Sequence, residues 1–279
     1  MGWGRKGMAL KAAIARWLRR SRLLGLADNM LAQAEYVRGY RARRAFRRGN
    51  PDFVLPPTAL AYDAFGPWNP EIYRMQGRDH AAYIASLIKR YHGRAGVICE
   101  WGCGPMRVLR HMPNHFPGSF LIGLDYNPKT ISWCTQHFTG FRFGLNRLEP
   151  PLPLKDGEAD VIYAISVFTH LSARQHMEYA ADLMRCLSSG GILIVTLHCD
   201  AYIPKLTGDE LKQYQSGGLV VREGVIEGSR AYVAFHSPSF VRELFAGFQV
   251  LEHDSVERVA GFQQDTWVLA KRDQPLVGA

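Results

Sequence analysis

No run in the sequence approaches the roughly 20 consecutive apolar residues that a membrane-spanning helix needs. The longest early apolar runs are three or four residues, too short for the core of a secretory signal. These absences predict a cytoplasmic protein. Cysteine is sparse: Cys99, Cys103, Cys134, Cys186 and Cys199 are an odd number with no C-x-x-C pair, which argues against a disulfide framework or a structural zinc site. They read as buried thiols of a reducing compartment, and no metal is expected. Acidic residues are scarce at the start. Residues 1–50 hold 13 Lys/Arg against Asp28 and Glu35, net +11, whereas residues 51–279 are net −2 and the whole chain is +9. A protein that coats nucleic acid would carry basic groups over its whole fold, so this distribution argues against a nucleic-acid partner. Lys6, where N-myristoylation wants Ser or Thr, disfavours that anchor.

At 279 residues the chain is longer than one ordinary domain. Residues 1–70 read as a basic helical extension and linker, and residues 71–279 as the main domain. Within residues 8–48, Leu10, Ile14, Trp17 and Leu18, then Leu24, Leu31, Tyr36, Val37 and Tyr40, recur at helical spacing among arginines that end in Arg41, Arg43, Arg44, Arg47 and Arg48. Gly25 is expected to divide this into two helices. The segment is either a solvated helical pair packed on the body or a basic amphipathic contact with a partner or with anionic lipid at the inner face of the membrane. Pro51, Pro56, Pro57, Gly66-Pro67 and Asn69-Pro70 predict an irregular connection over 50–70.

A helix is expected from about Asp79 to Tyr91. Beyond it, short apolar runs at Val97–Glu100, Phe120–Asp125, Phe141–Leu145, Ala159–Ser166 and Gly191–Leu197 alternate with helical stretches near 105–112, 128–138 and 172–187. A last pair of strands is expected at Phe248–Glu252 and Thr266–Ala270. Such alternation implies an α/β fold with a parallel sheet covered on both faces.

The first strand runs into Trp101-Gly102-Cys103-Gly104-Pro105, a corner of small residues that lets a backbone approach a ligand, with a helix expected to start behind it. The second strand ends in Asp125, about 20 residues on, where a carboxylate can accept the hydroxyls of a ribose. The dinucleotide fingerprint is not met, because Arg107 stands where its last glycine belongs.

The run Glu100-Trp101-Gly102-Cys103-Gly104 resembles the E/D-x-G-x-G signature of class I S-adenosylmethionine-dependent methyltransferases. Gly123-Leu124-Asp125 with Asn127-Pro128, Leu152-Pro153-Leu154 before Ala159-Asp160-Val161-Ile162, Ser166 to Leu171, and Leu187-Ser188-Ser189-Gly190-Gly191 follow in the order of that family. The resemblance implies a Rossmann-like, mostly parallel seven-stranded sheet with helices on both faces, and S-adenosyl-L-methionine as cofactor. Carried over, Gly102, Cys103 and Gly104 would face the methionine part, Asp125 and Tyr126 the ribose, and Leu145 and Asn146 the adenine. Glu100 would form the pocket floor, and Ser166 would belong to the same site. Met106 replaces the family's third glycine, where a side chain would crowd the cofactor. An alternative reading is therefore a non-catalytic binding or scaffold protein with a basic tail.

The motif after the fourth strand, Ala164-Ile165-Ser166-Val167-Phe168-Thr169-His170, lacks the Asn/Asp-Pro-Pro-aromatic run that such enzymes carry for nucleobase amines. No Pro-Cys nucleophile and no carboxylate set for magnesium is present. An alcohol acceptor needs a base as its bond to the methyl group forms. His170, His198 and His236 fall near strand ends, and His170 is the first candidate for that base. Residues 201–234 read as an acceptor-site insertion over the pocket. Pro51, Pro56-Pro57, Phe168-Thr169-His170, His236-Ser237-Pro238 and Gly261-Phe262-Gln263-Gln264-Asp265 together resemble bacterial methyltransferases of sugar and surface-polysaccharide synthesis. The acceptor implied is a glycan or other small hydroxyl compound.

Overall fold

The computed structural model describes residues 24–66, 69–255 and 263–272. The stripe Leu10, Ile14, Trp17 and Leu18 lies outside them. Helices α1 (Leu24–Arg38) and α2 (Tyr40–Gly49) are separated at Gly39; Gly25, the expected break, lies inside α1. The connection expected to be irregular contains a helix, α3 (Thr58–Phe65), entered through Pro57. Helix α4 (Pro70–Tyr91) starts nine residues before the expected Asp79. Asn69 caps it by accepting the N–H groups of Glu71 and Ile72, and Pro70 takes the first position, where its missing N–H costs nothing. In the first turns of α4 Ile72 and Met75 are exposed and Tyr73 is buried, so the apolar pattern did not mark the start while the cap announced it.

Seven strands form one sheet: β1 (Val97–Trp101), β2 (Phe120–Asp125), β3 (Phe141–Leu145), β4 (Ala159–Ile165), β5 (Leu187–Leu197), β8 (Phe248–Asp254) and β9 (Asp265–Lys271). Their order is β3-β2-β1-β4-β5-β9-β8. The first five are parallel, and β9 runs antiparallel between β5 and β8. This is the mostly parallel, Rossmann-like arrangement the sequence implies. Strands β6 (Leu219–Arg222) and β7 (Val233–His236) form a separate hairpin. Helices α5 (Pro128–His137), α6 (Ala173–Cys186), α7 (Gly208–Gln215) and α8 (Pro238–Leu244) complete the structure. Asn127, Ser172 and Ser237 cap α5, α6 and α8 with side-chain oxygens.

The central strands are buried on both faces, and their side chains alternate between two cores. Cys99, Trp101, Ile122, Ile162, Val195 and Trp267 pack with Tyr179, Leu183, Val241 and Phe245 on the side of α6 and α8. Ile98, Leu121, Val161, Tyr163, Ile194 and Val268 pack with Ile84, Ile88 and Trp133 on the side of α4 and α5. All five cysteines are buried and free. The chain passes outward from β1 through β2 to β3, then returns to β4 on the other side of β1. This reversal opens a crevice at the carboxyl ends of β1 and β4.

Candidate functional site

A cleft of about 840 Å³ occupies that crevice. Its floor is the turn after β1. Gly102 and Gly104 have φ of +77° and +50°, a region open to glycine at little cost. A Cβ on Gly102 would also stand 2.5 Å from Val167 Cγ2. The N–H groups of Gly102 and Cys103 both donate to the carbonyl of Leu124, at 2.8 and 2.9 Å, which ties the turn to β2.

The α-helix expected over 105–112 does not form. Met106 has φ +65°, which no right-handed helix accommodates, and only a 3₁₀ turn, Leu109–Asn114, follows. Pro113 inside it has no N–H to return to an earlier carbonyl. The carbonyls left over are satisfied from elsewhere: Arg110 donates to Met106 at 2.5 Å and to Pro105 at 3.2 Å, and the Tyr73 hydroxyl donates to Pro105 at 2.9 Å. Arg110 also donates to the carbonyl of Val54 and packs over the rings of Phe53 and Phe138. Neither Tyr73 nor Arg110 was marked by any sequence motif. The Met106 side chain is fully buried in the core on the α4 side and does not line the cleft, so it does not crowd the site.

Asp125, at the end of β2, lines the cleft with its carboxylate held at both ends. One oxygen accepts the Gly104 N–H at 2.9 Å and the other the Asn127 N–H at 2.8 Å. Burial raises its pKa from 3.8 to about 6, against the pull of those N–H groups. Beside it, Asn146 donates its amide to the Arg147 carbonyl at 2.6 Å, while its buried Oδ1 has no partner. An unsatisfied buried acceptor in a cleft fits a ligand that brings a donor. The exocyclic amine of an adenine does so. The ribose-ready carboxylate, the orphan amide oxygen and the glycine turn together fit S-adenosylmethionine.

The opposite wall comes from the end of β4. Ser166 has φ +64°, a strained conformation for a residue with a side chain. It is pinned there: its N–H donates to Thr196 Oγ1 at 2.9 Å, and its Oγ receives Gln264 Nε2 at 2.8 Å. His170 faces the cleft and directs Nδ1 to the carbonyl of Tyr232 at 2.7 Å. A carbonyl only accepts, so Nδ1 carries the proton and Nε2 keeps its lone pair. Burial first, and Arg230 in addition, lower the His170 pKa.

Several expected residues stand elsewhere. Glu100 is 2% exposed on the core side of β1 and does not line the cleft; it accepts the Tyr163 hydroxyl at 3.0 Å. Burial raises its pKa to about 8. The Cys103 thiol packs in the same core, and Leu145 is half exposed outside the cleft. Of the other histidines, His198 stacks on Tyr202, and His236 is buried with Nε2 2.8 Å from Nε2 of His176. Neither reaches the cleft. Gly228 and Arg230, from residues 201–234, line it, as do Tyr126, Arg147 and Tyr179. From the N-terminal side, Asp63 and Ala64 of α3 also line it, and Asp63 accepts the Asn127 amide at 3.1 Å. Among the described residues no group of three His, Cys, Asp or Glu could hold a metal ion.

Residues 99–195, which build this floor and much of the walls, match the family model described as a methyltransferase domain. The match makes this part of the chain similar to a methyltransferase domain. The trans-aconitate 2-methyltransferase of Acidovorax sp. (strain JS42) is 28% identical over 131 residues, 47% of this chain and 49% of that protein. The counterpart in Acidovorax ebreus (strain TPSY) is 27% identical over the same share. The chain thus spans about half the length of the curated relatives it matches. Among solved structures, an S-adenosylmethionine-bound amino pentose methyltransferase from Micromonospora echinaspora superposes with a TM-score of 0.53 at 15% identity, over 79% of this chain and 99% of that one. The N-methyltransferase NodS of Bradyrhizobium japonicum, with S-adenosyl-L-homocysteine, gives 0.52 at 14% identity, over 77% and 97%. At such identities the likeness is one of fold. The matched residues supply the β1 turn, Asp125, Asn146 and His170, whereas Asp63, Ala64, Gly228 and Arg230 come from outside them.

Proposed function

We propose that the protein transfers a methyl group from S-adenosylmethionine to a hydroxyl of a saccharide or other small acceptor. Residues 71–279 form the catalytic unit in this reading, and residues 1–70 an extension that contacts the inner face of the membrane. The observation that carries it is the position of His170, which lines the same cleft as Asp125 with its Nδ1 engaged by the Tyr232 carbonyl, leaving Nε2 as the basic nitrogen. Asp125 would hold the ribose hydroxyls, Asn146 Oδ1 the adenine amine, and the Gly102–Gly104 turn the methionine part. The cofactor supplies an electrophilic methyl group on its sulfonium. His170 takes the acceptor's hydroxyl proton on Nε2, and the carbonyl of Tyr232 steadies the imidazolium through Nδ1–H. Tyr126, Gly228 and Arg230 shape the acceptor's side.

Arg147 and Arg230 in the cleft favour a second reading, an anionic acceptor such as a carboxylate, the kind of group that trans-aconitate offers. A carboxylate is already deprotonated and needs no base. Calorimetry with S-adenosylhomocysteine tests the cofactor half: no binding to folded protein at millimolar ligand removes the enzyme reading. Methyl transfer by His170→Ala then separates the acceptors. A hydroxyl acceptor loses most of its rate, and a carboxylate acceptor keeps it.

A further inference from the structure

Helix α2 carries Arg41, Arg43, Arg44, Arg47 and Arg48 and no acid. Only Arg43 turns inward, where it is 5% exposed and donates to the backbone carbonyls of Tyr36 and Glu35. Phe46 is the other inward residue, set edge-on against Phe53 at 5.5 Å. Arg43 ties α2 to α1 at the base of the groove and Phe46 sets it against Phe53, which leaves the outer face to the remaining arginines. Among the described residues none of Arg41, Arg44, Arg47 and Arg48 has a carboxylate partner. Tyr36, Tyr40, Arg44, Arg47, Arg48 and Thr58 border a groove of about 1010 Å³ on this face. The neighbouring α1 exposes large apolar side chains: Met30 at 73%, Leu31 at 60% and Val37 at 74%. Met30 and Val37 are seven residues apart and share one face of the helix.

We propose that α1 and α2 form a docking surface for an anionic phospholipid bilayer, with the arginine groove receiving lipid phosphate. This deepens the membrane contact put forward above and rests on that reading of the extension; it does not depend on methyl transfer. Two features of this helix pair choose the occupant. Unpaired guanidinium groups, planar and weakly hydrated, pair with phosphate oxygens in forked geometry. Free phosphate or a nucleic acid would use those arginines and leave Met30, Leu31 and Val37 in water. A bilayer takes both, with the arginines at the headgroups and the apolar side chains at the acyl boundary.

Helix α3 connects this surface to the cleft. Thr58 at its start borders the groove, and Asp63 and Ala64 near its end line the cleft. Five residues at about 1.5 Å of rise separate groove and cleft by about 8 Å along the helix. The groove and the cleft thus stand at the two ends of one short helix.

The test is co-sedimentation of the full chain with vesicles of pure phosphatidylcholine and of equimolar phosphatidylcholine and phosphatidylglycerol, at low and high salt. Salt-sensitive binding to the anionic vesicles alone is expected. The variant Arg44→Glu/Arg47→Glu/Arg48→Glu should weaken it roughly a hundredfold. Met30→Ser/Leu31→Ser/Val37→Ser should also weaken it, while inorganic phosphate in the buffer should not abolish it. Equal binding to both vesicles, indifference to charge reversal, or displacement by duplex DNA with no effect of the apolar triple variant would overturn the proposal. Circular dichroism confirms that each variant is folded. S-adenosylhomocysteine affinity, measured on the same samples, reports separately on the cofactor site: its absence with vesicle binding intact would count against the enzyme reading alone.

Discussion

Replacing Glu100 with glutamine separates a core carboxyl from a cofactor ligand. Glu100 is 2% exposed, and its carboxyl accepts from the Tyr163 hydroxyl at 3.0 Å. Loss of water outweighs that hydrogen bond and the nearby Arg107 charge, and its pKa rises from 4.5 to about 8. An acid whose pKa is higher folded than unfolded binds more protons in the folded state between the two values. Stability contributed by its protonated form is therefore complete below pH 4.5 and is lost as pH rises towards 8. Each pH unit in that window is worth about 1.4 kcal/mol, so the whole effect is at most about 5 kcal/mol.

Glutamine keeps the shape and cannot ionise. The stability of Glu100→Gln relative to the parent should therefore climb with pH across the window and level off above about 8. Urea denaturation of both proteins at several pH values, without cofactor, measures this difference. Titrating groups that do not act on Glu100, such as His170, are common to both chains and cancel. A stability difference that stays flat from pH 5 to 9 would refute the reasoning. So would a tenfold loss of S-adenosylhomocysteine affinity in the variant, because the Glu100 side chain does not line the cleft.

Asp125→Ala should weaken S-adenosylhomocysteine binding by about 1–3 kcal/mol; in the parent the affinity should fall as pH drops through about 6, where the carboxylate takes up its proton. Calorimetry across pH checks both, and an affinity that ignores Asp125 removes the ribose assignment. His170→Ala should slow methylation of a hydroxyl acceptor by about 10²–10⁴-fold with cofactor affinity unchanged. Because the His170 pKa is lowered, the acid limb of the parent's rate profile should lie below 6.5, and a limb above that value would exclude this imidazole as the base. Gly102→Ala forces a methyl group to φ +77° and to 2.5 Å from Val167 Cγ2; a loss of order 1–3 kcal/mol is expected from the backbone alone, and an unchanged urea midpoint would show that the turn has another conformation.

Features set by local chemistry were legible in the sequence. The glycine turn, the aspartate ending β2 and the capped entries to α5, α6 and α8 are each encoded within a few residues, and strand periodicity located all seven strands of the sheet. Features that depend on what packs across the fold were not. The helix expected after Gly104 failed because Met106 goes to the core at positive φ, and its carbonyl partners, Arg110 and Tyr73, come from outside the motif. A motif-based reading put Glu100 and Cys103 at the cofactor. The pleat of β1 turns Glu100 to the opposite core from Trp101, and the Cys103 thiol packs in that same core. His170, His198 and His236 looked alike by position, yet only His170 meets the cleft, because the hairpin and α6 bury the other two.

The N-terminal residues show most sharply what the sequence concealed. Their charge marked them as separate from the chemistry, since every cofactor motif lies beyond residue 96. Yet α3 puts Asp63 and Ala64 into the cleft wall, and a Cβ built on Gly104 stands 3.1 Å from that of Ala64. Arg110 ties the carbonyl of Val54 to those of Pro105 and Met106, so the segment before α3 and the cofactor turn share one guanidinium. Asp63 in turn holds the Asn127 amide, and the Asn127 N–H holds Asp125. The extension is part of the wall of the site through Asp63 and Ala64 of α3.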